Sequence, residues 1–119
     1  MKQATDLQNE RVVVLGGSSG IGFAVAEQAS RQGATIVIAS SNPERVQNAV
    51  EKVEGNAKGH SIDLSDESAV ENFFAKPGAF DHLVFTAGDG FRLDDLAATD
   101  LQQARPAFEL RYWAALAAV

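Results

Sequence analysis

No cysteine occurs among the 119 residues, so neither a disulfide nor a thiolate metal site is open to this chain. Its two histidines, His60 and His82, lie far apart in the sequence and could hold a metal only with help from carboxylates, so no metal site is expected. Basic residues are few: Lys plus Arg number 10 against 16 for Asp plus Glu, a formal net charge of -6. No basic stretch offsets that balance, which argues against a nucleic-acid or anionic-membrane surface. Long apolar runs are missing too. The longest, residues 112–119, is far short of the ~20 residues a membrane helix needs. Residues 1–10 are polar, without the apolar core of a signal peptide, and read as a tail. An acidic, cysteine-free chain of this kind fits the cytoplasm. There is no low-complexity tract, and 45% of the residues are hydrophobic, enough for one compact domain over residues 11–119.

What is present is an alternation of short apolar runs with longer amphipathic stretches. Arg11–Leu15 is a β-branched run with no polar alternation, as expected of a strand buried on both faces. Residues 19–32 read as a helix with Ile21, Ala24, Val25 and Ala29 on one face, ended by Gly33. Residues 34–39 form a second buried strand. Asn42 then caps a helix that starts at Pro43 and runs to about Glu54. Residues 56–62 make a weaker strand. Ser65 caps the next helix, with Asp66 and Glu67 in its first turn, and Pro77-Gly78 stops it. Residues 80–85 are a fourth strand and 87–98 a loop. From about Thr99 the chain is helical to its end, broken or kinked at Pro106. Four strands alternating with four helices predict right-handed βαβ units, a parallel Rossmann-type α/β sheet and the strand order 3-2-1-4.

The sharpest motif is Gly16-Gly17-Ser18-Ser19-Gly20-Ile21-Gly22, which follows the first strand and opens the first helix. Glycines let the backbone turn tightly and approach a pyrophosphate closely. The free N–H groups and the dipole of the helix then face the negative charge, and Ser18 and Ser19 can add hydroxyl donors. The ordinary alternative is a strand-to-helix turn with no ligand.

The spacing of Gly16, Gly20 and Gly22, Gly-x-x-x-Gly-x-Gly, resembles that of the short-chain dehydrogenase/reductase family. Asp63-Leu64 after the third strand matches the place where that family holds the adenine ring. Ala87-Gly88 after the fourth strand matches its Asn-Asn-Ala-Gly. The segment beginning at Phe108 looks like its long interface helix. The resemblance runs from Arg11 to the end of the chain. It implies an NAD(P)-dependent oxidoreductase, reversible hydride transfer between nicotinamide and a small-molecule carbonyl or alcohol, and a homo-oligomer. It also implies that Asp63 accepts from the adenine amino group and that Ala87 and Gly88 leave room beside the ribose. Without the resemblance, Asp63 reads as a cap on the turn before Ser65. The departures are Leu15 for the family's Thr, Phe85 and Thr86 for its two Asn, and Arg111 for the Asn of its proton relay.

An NAD site usually carries Asp or Glu at the end of the second strand to hold the ribose hydroxyls. Ser40 and Ser41 stand there instead, and no carboxylate would repel a 2′-phosphate. Arg45 lies one helical turn further and either reaches back to that phosphate or is solvated. NADP is therefore favoured, with NAD as the alternative. The expected cofactor-binding residues are Gly16, Ser18, Ser19, Gly20, Ile21, Gly22, Ser40, Ser41, Arg45, Asp63, Leu64, Ala87 and Gly88. A β-carbon at Gly20 or Gly22 is expected to occupy pyrophosphate space.

Catalytic residues are not found. The family's Tyr-x-x-x-Lys pair is absent: the only tyrosine is Tyr112, and Leu116 stands four residues on. Two readings remain, the cofactor-binding half of a reductase or a non-catalytic nucleotide-binding or interaction module. The uncapped apolar residues 114–119 favour the first. The fourth strand is expected at a sheet edge, with Leu83 and Phe85 facing water, and the last helix is expected to expose more apolar surface than one sheet can cover.

Overall fold

Val12, Val13, Val14 and Leu15 are all buried, although their side chains point alternately to opposite faces. A strand can be apolar at every position only if both faces are covered. A computed structural model describes residues 6–75, 80–87, 96–98, 101–102, 105 and 113–119. In it, four parallel strands, β1 (Arg11–Leu15), β2 (Thr35–Ser40), β3 (Ala57–Ser61) and β4 (His82–Phe85), form one sheet in the order β3-β2-β1-β4. This is the expected half-Rossmann order. β1 pairs with β2 from Arg11↔Thr35 to Leu15↔Ala39 and with β4 from Val12↔His82 to Leu15↔Phe85.

Helices α1 (Gly20–Arg31) and α2 (Pro43–Lys52) cover one face. Val12, Val14, Ile36 and Ile38 pack there with Ala26, Ala29, Ala49 and Val53. The alanines let the helix axes come close to the sheet. The other face carries α3 (Glu67–Ala75) and a short α4 (Ala114–Ala118), which touch each other. Val13, Leu15, Val37 and Ala39 meet Leu64, Val70 and Ala118 on that side. Leu96–Ala98 is a single 3₁₀ turn.

Local chemistry sets the boundaries. Gly33, at φ 95°, ends α1 by accepting the left-handed conformation, and the Ala34 N–H returns to the Ala29 carbonyl. Asn42 Oδ1 accepts from the Arg45 N–H at 3.0 Å and Pro43 occupies the first helical position, as expected. At α3 the cap is one residue later than expected. Asp66, not Ser65, accepts from the Ser68 and Ala69 N–H groups at 3.0 and 3.4 Å. The Ser65 hydroxyl is already donated to Asp63.

Two expectations about side-chain placement are corrected. The inward face of α1 is Gly22, Ala26 and Ala29, not the Ile21, Ala24, Val25 and Ala29 set. Ile21 is 76% exposed and Ala24 is exposed as well. Positions 22, 26 and 29 share one helical stripe, and only small residues there fit against the sheet. Leu83 and Phe85 do not face water; both are half-buried against the second core cluster, because α3 and α4 cover that side of the edge strand. The segment before β1 also packs. The Leu7 side chain lies against the first cluster, its N–H donates to Gln32, and Glu10 meets His82 at 2.7 Å. His60 stacks edge-on to Phe73. The expectations about Pro77-Gly78, Gly88, Pro106, Leu110, Arg111 and Tyr112 concern positions outside the described residues. No helix among the described residues is long and apolar enough to cross a membrane.

Candidate nucleotide-binding site

The site is built where β1, β2 and β4 end side by side. A chain leaving β1 must turn at once to start α1 without colliding with the end of β4. Gly16 makes that turn at φ 88°, and a β-carbon on it would lie 2.5 Å from the Ala87 nitrogen. Its N–H donates to the Ala39 carbonyl at 2.8 Å, tying the turn to the end of β2. Gly17 fits beside Val14 and Ile38, whose side-chain carbons would be 3.0 and 3.2 Å from an added methyl.

Gly20 and Gly22 differ in kind. Gly20 has φ 61°, and its missing β-carbon would point into open space, with nothing within 4 Å. A β-carbon on Gly22 would instead come 2.5 Å from the Gly16 carbonyl oxygen and collide with Thr86 Oγ1. The expectation that both positions keep ligand space clear is therefore corrected for Gly22, whose smallness is used inside the protein to close the turn.

Ser19 is the residue before α1, in extended conformation, and its side chain makes no capping hydrogen bond. Among the described residues the first-turn N–H groups of α1 thus have no side-chain cap, an arrangement suited to an external anion. Ser18 Oγ hydrogen-bonds Ser40 Oγ at 3.2 Å, bringing together residues 22 apart in sequence. The Ser41 carbonyl accepts from the Ser61 hydroxyl at 3.3 Å, so the end of β2 is held from β3 as well. Ile21 projects from the start of α1.

Beside the turn, α1 and α2 enclose a groove of about 340 Å³. Ser18, Ser19 and Phe23 form one wall; Arg45, Asn48 and Lys52 stand on the other. Arg45, for which the sequence leaves open a reach back to the turn or a solvated side chain, is exposed and lines the same groove as Ser18 and Ser19. Phe23, Asn48 and Lys52 were not foreseen, although the 45, 48, 52 spacing on one helix face was there to be read.

Past β3, Asp63 Oδ1 accepts from the Ser65 N–H at 3.0 Å and the Ser65 hydroxyl at 2.6 Å. The Ser65 hydroxyl bond, then the Ser65 backbone bond, holds the Asp63 carboxyl below its ordinary value, with burial opposing weakly. Asp63 therefore does cap the local turn, while remaining exposed and anionic. The Leu64 side chain is buried in the second core cluster. Ala87 packs against that cluster with its nitrogen over Gly16.

Thr86 is the residue that sequence reasoning passed over as a mere departure. Its N–H donates to the Leu15 carbonyl at 2.9 Å, and its hydroxyl approaches the Gly16 and Leu15 carbonyls at 3.3 and 3.4 Å. It fastens the end of β4 to the turn. A hydroxyl residue directly after an apolar strand and before Ala-Gly was the available signal.

Comparison with known proteins agrees with this fold. A family profile described as short chain dehydrogenase matches residues 10–116. The chain is 38% identical over 130 aligned residues to the short-chain dehydrogenase/reductase fsr5 of Gibberella fujikuroi, covering 97% of this chain and 49% of that protein. It is 30% identical to malC of Malbranchea aurantiaca, covering 91% of this chain and 47% of that protein. The solved MalC reductase/Diels-Alderase superposes with a TM-score of 0.84 at 29% identity, over 98% of this chain and 51% of that one. An L-sorbose reductase from Gluconobacter frateurii, complexed with NADPH and L-sorbose, gives 0.83 at 26% identity over 98% and 47%. The chain spans about half the length of the curated relatives it matches. Sheet order, glycine turn and sequence likeness together place the chain in the short-chain dehydrogenase/reductase family of oxidoreductases.

Proposed function

We propose that the protein binds NADP(H) on the glycine turn and serves a reductase that interconverts a small-molecule carbonyl and alcohol. The observation that carries the reading is the start of α1. Among the described residues its first-turn N–H groups lack a side-chain cap, and the β-carbon direction of Gly20 is open. A backbone cradle of this kind fits a pyrophosphate. When bound, the nicotinamide supplies or takes up the hydride. This chain's own residues do the holding. Gly16 and Gly20 shape the cradle, Ser18 and Ser40 offer hydroxyls beside it, and Ile21 presents an apolar surface next to it. Asp63 stays charged over the working pH range as an acceptor for the adenine amino group. Ala87 and Gly88 keep the ribose side small. The Tyr-x-x-x-Lys pair that would move the proton is not among these 119 residues.

The choice of NADP over NAD rests on Ser40, Ser41 and Arg45. No carboxylate stands at the end of β2, and a guanidinium lines the adjoining groove. The NADPH bound to the L-sorbose reductase supports the same choice by analogy. The substrate class follows the family, and the acidic, cysteine-free sequence fits a reducing cytoplasm. The reading extends to assembly. Trp113, Leu116 and Val119 are more than half exposed, and self-association through the last helix would cover them. Titration with both nucleotides tests the cofactor. NADP binds more tightly than NAD, and Ser40→Asp lowers the ratio by about tenfold or more through charge repulsion and new ribose hydrogen bonds. A wild-type protein that prefers NAD overturns the assignment.

A further inference from the structure

The groove between α1 and α2 is lined by a second cation besides Arg45. Lys52 lies seven residues beyond Arg45, with Asn48 between them, a spacing that returns to one face of a helix. All three line the groove opposite Ser18 and Phe23. Among the described residues, neither the Arg45 guanidinium nor the Lys52 ammonium has an ion-pair or hydrogen-bond partner. Glu51, the acid next to Lys52 in sequence, accepts instead from the Gln47 amide at 3.1 Å, one turn back on the helix. Two unneutralised cations therefore share one wall of a groove in a chain whose net charge is -6.

We infer that Lys52 is a specificity-determining residue, which together with Arg45 reads the 2′-phosphate of NADP in the α1–α2 groove. The inference rests on the dinucleotide reading above. A phosphate monoester carries between one and two negative charges near neutral pH, so a lone Arg leaves it under-neutralised. Ser18 joins the glycine turn to the groove, and Arg45 and Lys52, about 10 Å apart along the helix axis, stand on its far wall, so a nucleotide seated on the turn would present its phosphate-bearing ribose to a groove that both long cationic side chains line. Phe23 removes water from the facing wall, which lowers screening and strengthens the attraction.

The test is calorimetric titration of the wild-type protein and of Lys52→Met, which keeps the apolar stem and removes the charge. NADP, NAD and 2′,5′-ADP serve as probes at two salt concentrations. Lys52→Met weakens NADP and 2′,5′-ADP by about fivefold, leaves NAD within about twofold, and flattens the salt dependence of NADP binding. Lys52→Arg restores the NADP affinity. A wild-type protein that prefers NADP, with Lys52→Met weakening both nucleotides equally or neither, overturns the role of Lys52 while the dinucleotide reading stands. A wild-type protein that binds neither nucleotide overturns both.

Discussion

At Gly22 a methyl group would meet the Gly16 carbonyl oxygen at 2.5 Å, and the Thr86 hydroxyl blocks any shift toward β4. Backbone cannot give way as a flexible side chain can, so the cost is one of overpacking. Gly22→Ala is expected to lose about 1–3 kcal/mol of stability, read as a lower urea midpoint with an unchanged slope. Gly20 is different: it has room, and its constraint is the positive φ alone. Sequence spacing alone treats the two glycines alike, because a motif records residue types and not what stands opposite each missing β-carbon. Ser18, Ser40 and Arg45 were legible as a group, since strand ends and helix starts converge in a parallel sheet. Thr86 was not, because its role depends on the end of β4 lying against the turn.

Among the elements, α2 shows how short-range chemistry can be read directly. Asn42, Pro43 and the apolar Val46 and Ala49 on the inward stripe fix its start and its buried face. Asn42→Ala removes the acceptor of the Arg45 N–H and is expected to cost about 1 kcal/mol in chemical denaturation. The same change loosens the turn of helix that carries Arg45, so NADP affinity falls with it. Helix α1 was legible in extent but not in orientation. Its apolar residues outnumber those that can be buried, and packing selected the small ones, Gly22, Ala26 and Ala29, leaving Ile21 outside. The cap of α3 moved from Ser65 to Asp66 for a similar reason: two candidate caps stood side by side, and Ser65 was engaged by Asp63.

Over the whole molecule, β1 and β2 were legible because strands buried on both faces leave continuous apolar runs; the alternation of strands and helices implied parallel βαβ units, and the glycine turn after β1 pointed to the half-Rossmann order β3-β2-β1-β4. The covering of Leu83 and Phe85 was not, since it depends on α3 and the distant α4 meeting beside β4. Beyond that cover, Trp113, Leu116 and Val119 remain largely exposed on the last helix. Sedimentation at micromolar concentrations is expected to show concentration-dependent association that Leu116→Glu weakens; a monodisperse wild-type monomer would remove the assembly claim. The central claim is that the open start of α1 receives a dinucleotide. Its most direct test is titration of NADP into the wild-type protein and into Gly20→Ala, with circular dichroism confirming that the variant stays folded. The account predicts saturable one-to-one binding by the wild type, weakened at least about tenfold by the added methyl group. Equal affinity in the two proteins, or no binding by the wild type, would contradict it.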